Sequence, residues 1–209
     1  MAIIRVGIKK LGLCAALLGT VAALPTSSAN SVDPALVQAL QQATRDINEQ
    51  TTDLDSLMWL SSMAERLESR IKNPFYRIRL LKAVYTEAER AGLDPQLVLA
   101  VIDIESNFDR YAESSAGAQG LMQVMPFWKD VYNKPEDDLY NPLISLRYGC
   151  TILRHYLDRY DDPADALAAY NGSLGRSTYP DKIMRRLASR WQFKTDRYSK
   201  DVGTKVAIR

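Results

Sequence analysis

The chain has 209 residues, 46% of them apolar and 25% charged, with 27 basic against 25 acidic side chains. That length and balance suffice to bury one or two ordinary cores, which excludes disorder and fibrous repeats. Ten Gly and nine Pro are unexceptional, and no spacing of about 20 to 50 residues recurs, so collagen-like and solenoid architectures are excluded as well.

Residues 1–29 read as an export signal. Arg5, Lys9 and Lys10 give a positive start, Leu11 to Leu24 is an uncharged run of 14 residues, and Ser27-Ser28-Ala29 places small residues for cleavage after Ala29. A membrane anchor would need about 18 or more apolar residues, and Pro25 with its polar neighbours ends this run too early. Lipid attachment at Cys14 would require a small residue where Leu13 stands. Cleavage would leave 24 basic against 25 acidic residues with no basic run of five or more, which argues against a nucleic-acid partner. The expected location is therefore the periplasm.

Residues 30–72 are rich in Gln, Glu, Arg and Ser with sparse apolar positions, and read as a helical extension. Leu57, Met63 or Ala64, Leu67 and Ile71 form one helical stripe in it. An interaction helix and a packing extension are both open for residues 33–71, and the segment is assigned no chemistry. Residues 73–193, denser in aromatics and in Gly-punctuated loops, read as the functional domain, and 194–209 as a tail.

Five prolines follow Asp or Asn: Asp33-Pro34, Asn73-Pro74, Asp94-Pro95, Asn141-Pro142 and Asp162-Pro163. Each pair reads as a helix N-cap and first turn, because the side-chain oxygen takes an orphan amide where proline's missing N–H costs nothing. Helical periodicity follows, as in Ile78, Leu81, Val84 or Tyr85, and Ala88, which Gly92 terminates. The expected class is all-α.

In the helix that starts at Asp94, Glu105 lies within about 60° of Val98, Val101 and Ile102 at about 100° per residue, so a carboxylate continues an apolar stripe. Asp103, about 160° away, is expected to face solvent or a cap partner. Glu105 reads either as an exposed last-turn residue or as a general acid that desolvation keeps protonated. Asp109, four residues on, reads as an exposed loop residue because Ser106-Asn107-Phe108 looks like a helix end. Next comes Gly117-Ala118-Gln119-Gly120-Leu121-Met122-Gln123-Val124-Met125-Pro126. Its glycines allow close backbone approach to a ligand, while Met122, Met125 and Gln123 offer adaptable apolar surface and an amide.

Beyond Cys14, the only cysteine is Cys150 and the only histidine is His155, five apart in one predicted helix. Neither a disulfide nor a zinc site can be built from them, and Cys150 reads as a small packing residue. Gly172-Ser173-Leu174-Gly175 is not a nucleophile elbow, so His155 lacks a triad partner.

Taken in order, Glu105-Ser106, the Gly117–Pro126 block and Ala169-Tyr170-Asn171-Gly172 resemble the lytic transglycosylases of the soluble type, over about residues 76–193. The resemblance implies a goose-lysozyme-like all-α domain that cleaves the β-1,4 bond between N-acetylmuramic acid and N-acetylglucosamine in peptidoglycan, with no metal or cofactor. It implies Glu105 as sole acid and base. Ser114 would stand near the reacting sugar, Gln123 and Asn171 would bond acetamido or hydroxyl groups, and Met125 would wall the site. Tyr170 would reach toward the acetamido group or Glu105, and Tyr179, in Tyr179-Pro180-Asp181-Lys182, would line the groove from the last helix. Where the family commonly continues with Ala-Gly-Pro-Gly, this chain has Gly172-Ser173-Leu174-Gly175. Ser145 replaces a common Asn at a position read as structural. A hydrolytic muramidase, with Asp137-Asp138 folded over the groove, and a non-catalytic peptidoglycan-binding protein are the alternatives.

Overall fold

The computed structural model describes residues 54–194; the segment 1–29 read as an export signal, Asp33-Pro34 and residues 195–209 lie outside the described residues. Seven α-helices are present in this stretch: α1 (Leu54–Leu67), α2 (Pro74–Ala91), α3 (Pro95–Glu105), α4 (Phe127–Val131), α5 (Pro142–Arg159), α6 (Pro163–Tyr170) and α7 (Thr178–Arg186). A single wide turn, Leu187–Trp191, follows α7. Extended pairing among the described residues is limited to the isolated bridges Glu113–Gln119 and Gln119–Val124. The class is all-α, as the periodicity predicts.

Capping explains where the helices begin. Asn73, Asp94, Asn141 and Asp162 each accept a backbone N–H with the side-chain oxygen, from Tyr76, Gln96, Leu143 and Ala164 respectively, and each precedes the proline that opens its helix. At the far end of α2, Gly92 takes the left-handed conformation (φ 65°) and its N–H closes the helix on Ala88 and Glu89.

Helix α3 is the axis of the fold, packed against α2, α7 and the wide turn. Val98 through Ile102 are all fully buried, so the helix has neighbours on every side. This corrects the expectation for Asp103, whose side chain is inaccessible to solvent. It accepts from Arg70 Nη2 (2.8 Å), Arg186 Nη1 (2.9 Å) and Trp191 Nε1 (2.9 Å). A helical wheel identifies the face opposite an apolar stripe as solvent only when nothing else covers it. Here the residues after α1 and the end of α7 cover it with cations.

Of the two readings open for residues 33–71, the described part follows the packing one. Trp59, Met63, Ala64 and Leu67 are buried in the same core as α2 and α3, each large side chain contributing about 1.5–3 kcal/mol. Arg66 donates to the carbonyls of Arg190 (2.8 Å) and Gln192 (2.9 Å), and Arg190 donates back to that of Arg66 (2.9 Å). Cys150 is fully buried and free, in keeping with a packing role, and burial pushes its thiol up to about 12.

Candidate active site

Helix α3 ends at Glu105, and the chain turns away through two consecutive left-handed residues, Asn107 (φ 51°) and Phe108 (φ 68°). Such conformations cost about 1–3 kcal/mol each in non-glycine residues. They are held from outside: Phe108 is buried with its ring 5.4 Å from that of Trp191, and Arg70 donates to Asn107 Oδ1. The last residue of the helix therefore neither frays nor swings into solvent. Asp109, in the loop beyond, is exposed and accepts from the Tyr111 N–H.

The glycine-rich block is tied to the end of α3. Ser106 Oγ donates to Leu121 O (2.8 Å), and the Met122 N–H donates to Ser145 Oγ (3.2 Å). Gly120 has φ 76°, and a Cβ there would lie 2.1 Å from the Leu139 carbonyl, so no other residue fits. Ser145 is buried and structural, as the sequence suggests. Met122 is not an adaptable surface residue: it is fully buried, packed where a Cβ on Gly149 would meet it at 2.4 Å.

Glu105 lines a cavity of about 420 Å³ together with Asn171 and Tyr179. Ile104, Ser173, Arg176, Thr178 and Lys182 complete the wall. Tyr179 Oη donates to Glu105 Oε1 at 2.6 Å, and Asn171, which caps α6, donates to the same carboxyl. Burial raises the Glu105 carboxyl from 4.5 to about 7, and those two hydrogen bonds hold it from rising further. Burial and the adjacent carboxyl push the Tyr179 phenol well above its usual 10, so it remains a donor. Around neutral pH the cavity thus holds a carboxyl poised between acid and base.

Of the sequence-predicted site residues, Glu105, Asn171 and Tyr179 meet in this wall. Ser114, Gln123, Met125 and Tyr170 stand outside it. Ser114 Oγ accepts from the Ala118 N–H (3.0 Å), and Gln123 Nε2 donates to Ala112 O (3.0 Å) and Gly120 O (3.2 Å), so both brace the loop. Met125 is partly exposed just before α4. Tyr170 Oη donates to Met122 O (2.8 Å), joining the end of α6 to the loop, while Tyr179 supplies the hydroxyl on Glu105. Arg176 and Lys182 were not anticipated; nothing in their local sequence distinguishes them from solvated surface cations.

The Tyr179 contact makes a prediction. Tyr179→Phe removes a bond that favours the ionised carboxyl, so the pH at which activity falls on the alkaline side should move upward. Turnover should also drop, by about tenfold, because the acid loses its alignment. A pH profile of the activity checks this; an unmoved alkaline limb would separate Tyr179 from Glu105 in solution.

Among the described residues no group of three or more His, Cys, Asp or Glu side chains is placed to hold a metal ion, and no helix is long and apolar enough to cross a membrane.

A family model described as the transglycosylase SLT domain matches residues 82–189. The chain is 36% identical over 126 residues to a membrane-bound lytic murein transglycosylase C of Glaesserella parasuis, covering 51% of this chain and 35% of that protein. It is 30% identical over 158 residues to a membrane-bound lytic murein transglycosylase F of Desulfosudis oleivorans, covering 71% and 34%. With a transglycosylase of Enterobacteria phage PRD1 it shares 35% identity over 103 residues, 46% of this chain and 38% of that protein. The chain spans about a third of the length of these curated relatives.

Proposed function

The chain belongs to the transglycosylase SLT family, and from that premise we propose that it is a peptidoglycan lytic transglycosylase with Glu105 as its acid and base. The observation that carries the reading is geometric: in the all-α lysozyme-like fold the Glu105 carboxyl stands in the cavity wall and accepts from Tyr179 Oη, and the burial that raises it to about 7 supports an acid that can also serve as base. Glu105 donates its proton to the glycosidic oxygen as the bond to C1 of N-acetylmuramic acid breaks. The carboxylate so formed takes the proton of that sugar's 6-hydroxyl, whose oxygen closes onto C1 to give the 1,6-anhydro end. No water is consumed, and Glu105 finishes protonated as it began.

Two-carboxylate hydrolysis needs a second acidic residue across the scissile bond. Among the described residues, Glu105 is the only acidic one in the cavity wall. The Asp137 carboxylate accepts from Tyr148 Oη (2.8 Å), which ties its loop to α5, and that of Asp138 accepts from the Tyr140 N–H (2.9 Å) within the loop, so both have structural partners of their own. Ring closure is also favoured because the 6-hydroxyl is tethered to the reacting carbon. Asn171 and Tyr179 orient the acid. Ser114, Gln123 and Met125, partly exposed on a loop fixed to the end of α3, extend the sugar contacts beyond the cavity, and Tyr170 anchors that surface from α6. Export by the leader ending at Ala29, with action in the periplasm, completes the reading.

Digestion of purified sacculi in heavy-oxygen water is the test. Products ending in 1,6-anhydro-N-acetylmuramic acid, unlabelled and lighter by one water than hydrolysed ends, are expected. Labelled reducing ends as the main product would make the enzyme a muramidase, and absence of cleavage would leave a glycan-binding protein.

A further inference from the structure

The wall that holds Glu105 also carries two cations, Arg176 and Lys182. Among the described residues neither forms an ion pair, although arginines elsewhere do: Arg70 and Arg186 are bound to Asp103, and Arg90 and Arg147 to Glu87. Both cations are exposed, Arg176 on the turn before α7 and Lys182 in the second turn of that helix. The Arg176 N–H donates to Ser173 O (3.0 Å), which fixes the turn that presents the guanidinium. The sugar rings of an N-acetylated glycan are neutral and give such groups nothing to pair with. The 3-O-lactyl group of N-acetylmuramic acid, however, branches from the ring whose C1 reacts, and the peptide stem it bears carries free carboxylates.

We propose that Arg176 and Lys182 are specificity-determining residues that bind carboxylates of the peptide stem on the muramoyl residue being cleaved. The inference rests on the transglycosylase reading and names the part of the substrate that reading leaves open. Guanidinium and ammonium pairing with carboxylate gives charge-assisted hydrogen bonds, stronger than the neutral bonds a sugar hydroxyl makes. Stem-bearing strands would thereby be preferred over strands whose stems have been neutralised.

The experiment compares kcat/KM on three substrates: strands with native stems, the same strands with stem carboxyls converted to carboxamides, and strands stripped of stems by an amidase, which exposes the lactyl carboxylate. Wild-type protein is expected to favour native over carboxamide stems by about tenfold. In Arg176→Gln/Lys182→Gln that ratio should fall to about one, and in Arg176→Lys most of it should persist. Because each ratio is taken on one preparation, partial misfolding cancels. An equal ratio in wild type and double variant overturns the proposal. So does a variant whose selective loss is confined to the stripped strands, since the carboxylate read would then be the lactyl one. If wild-type protein yields no anhydro ends from any substrate, the transglycosylase reading fails instead.

Discussion

Glu105→Gln is expected to lower glycan cleavage by about a hundred- to ten-thousandfold while leaving the helical fold intact. The amide keeps the shape and can still accept from Tyr179 Oη, but it has no proton to give. The same substitution should change stability in a pH-dependent way. The native carboxyl titrates at about 7 against 4.5 for an ordinary glutamate, so the folded state holds its proton more tightly than the unfolded chain. Stability from this group is complete below about pH 4.5 and declines as pH rises toward 7, by about 3 kcal/mol in all. Glutamine does not titrate. Wild type and variant should therefore melt at similar temperatures near pH 4.5, and the variant should become the more stable above pH 7. Parallel melting curves across this range would show that the carboxyl is not raised, and retained cleavage would move the acid elsewhere.

Asp103→Ala should be the most damaging substitution for the fold, at about 3–5 kcal/mol, because it strands two guanidinium groups and an indole N–H around a vacated site. For a chain of this size that is a fall in melting temperature of about 10 °C or more. Asp103→Asn, which keeps an acceptor for Trp191 but no charge opposite Arg70 and Arg186, should lie between alanine and wild type. Thermal unfolding monitored by circular dichroism decides it; a loss below about 1 kcal/mol for alanine would show that the network is not formed in solution.

What the sequence reveals here is what is local to it. The Asn-Pro and Asp-Pro caps are readable because donor, acceptor and the proline φ lie within a few residues, and each described pair opens its helix as expected. Glu105 is legible for a related reason: its place on the apolar stripe is set by helical pitch alone. Asp103, two residues earlier on the same helix, is misread because its partners stand 33, 83 and 88 positions away. Periodicity reports which side of a helix is apolar, not what covers the other side. Likewise Tyr179 reaches Glu105 across 74 positions, a pairing that motif order suggests as proximity but cannot give as a hydrogen bond. In residues 54–71 the stripe of Met63 or Ala64, Leu67 and Ile71 is readable and buried, whereas Trp59, which that stripe does not include, is buried as well because of what packs on its side of the helix.

The ion cluster on Asp103 bears on what can be moved between proteins as a unit. The stretch shared with the family runs from 82 to 189, and it includes Asp103 and Arg186. Arg70 lies before it and Trp191 after it, so two of the three groups that neutralise or bond this carboxylate fall outside. A graft cut at the limits of resemblance would carry a buried anion into its new host half-compensated, and would leave behind Trp59, Met63 and Leu67. The heritable module is thus longer than the recognisable one. Its flanks can diverge in sequence, but every recombinant must bring along, or reinvent, a cation before the reacting helix and a donor behind it.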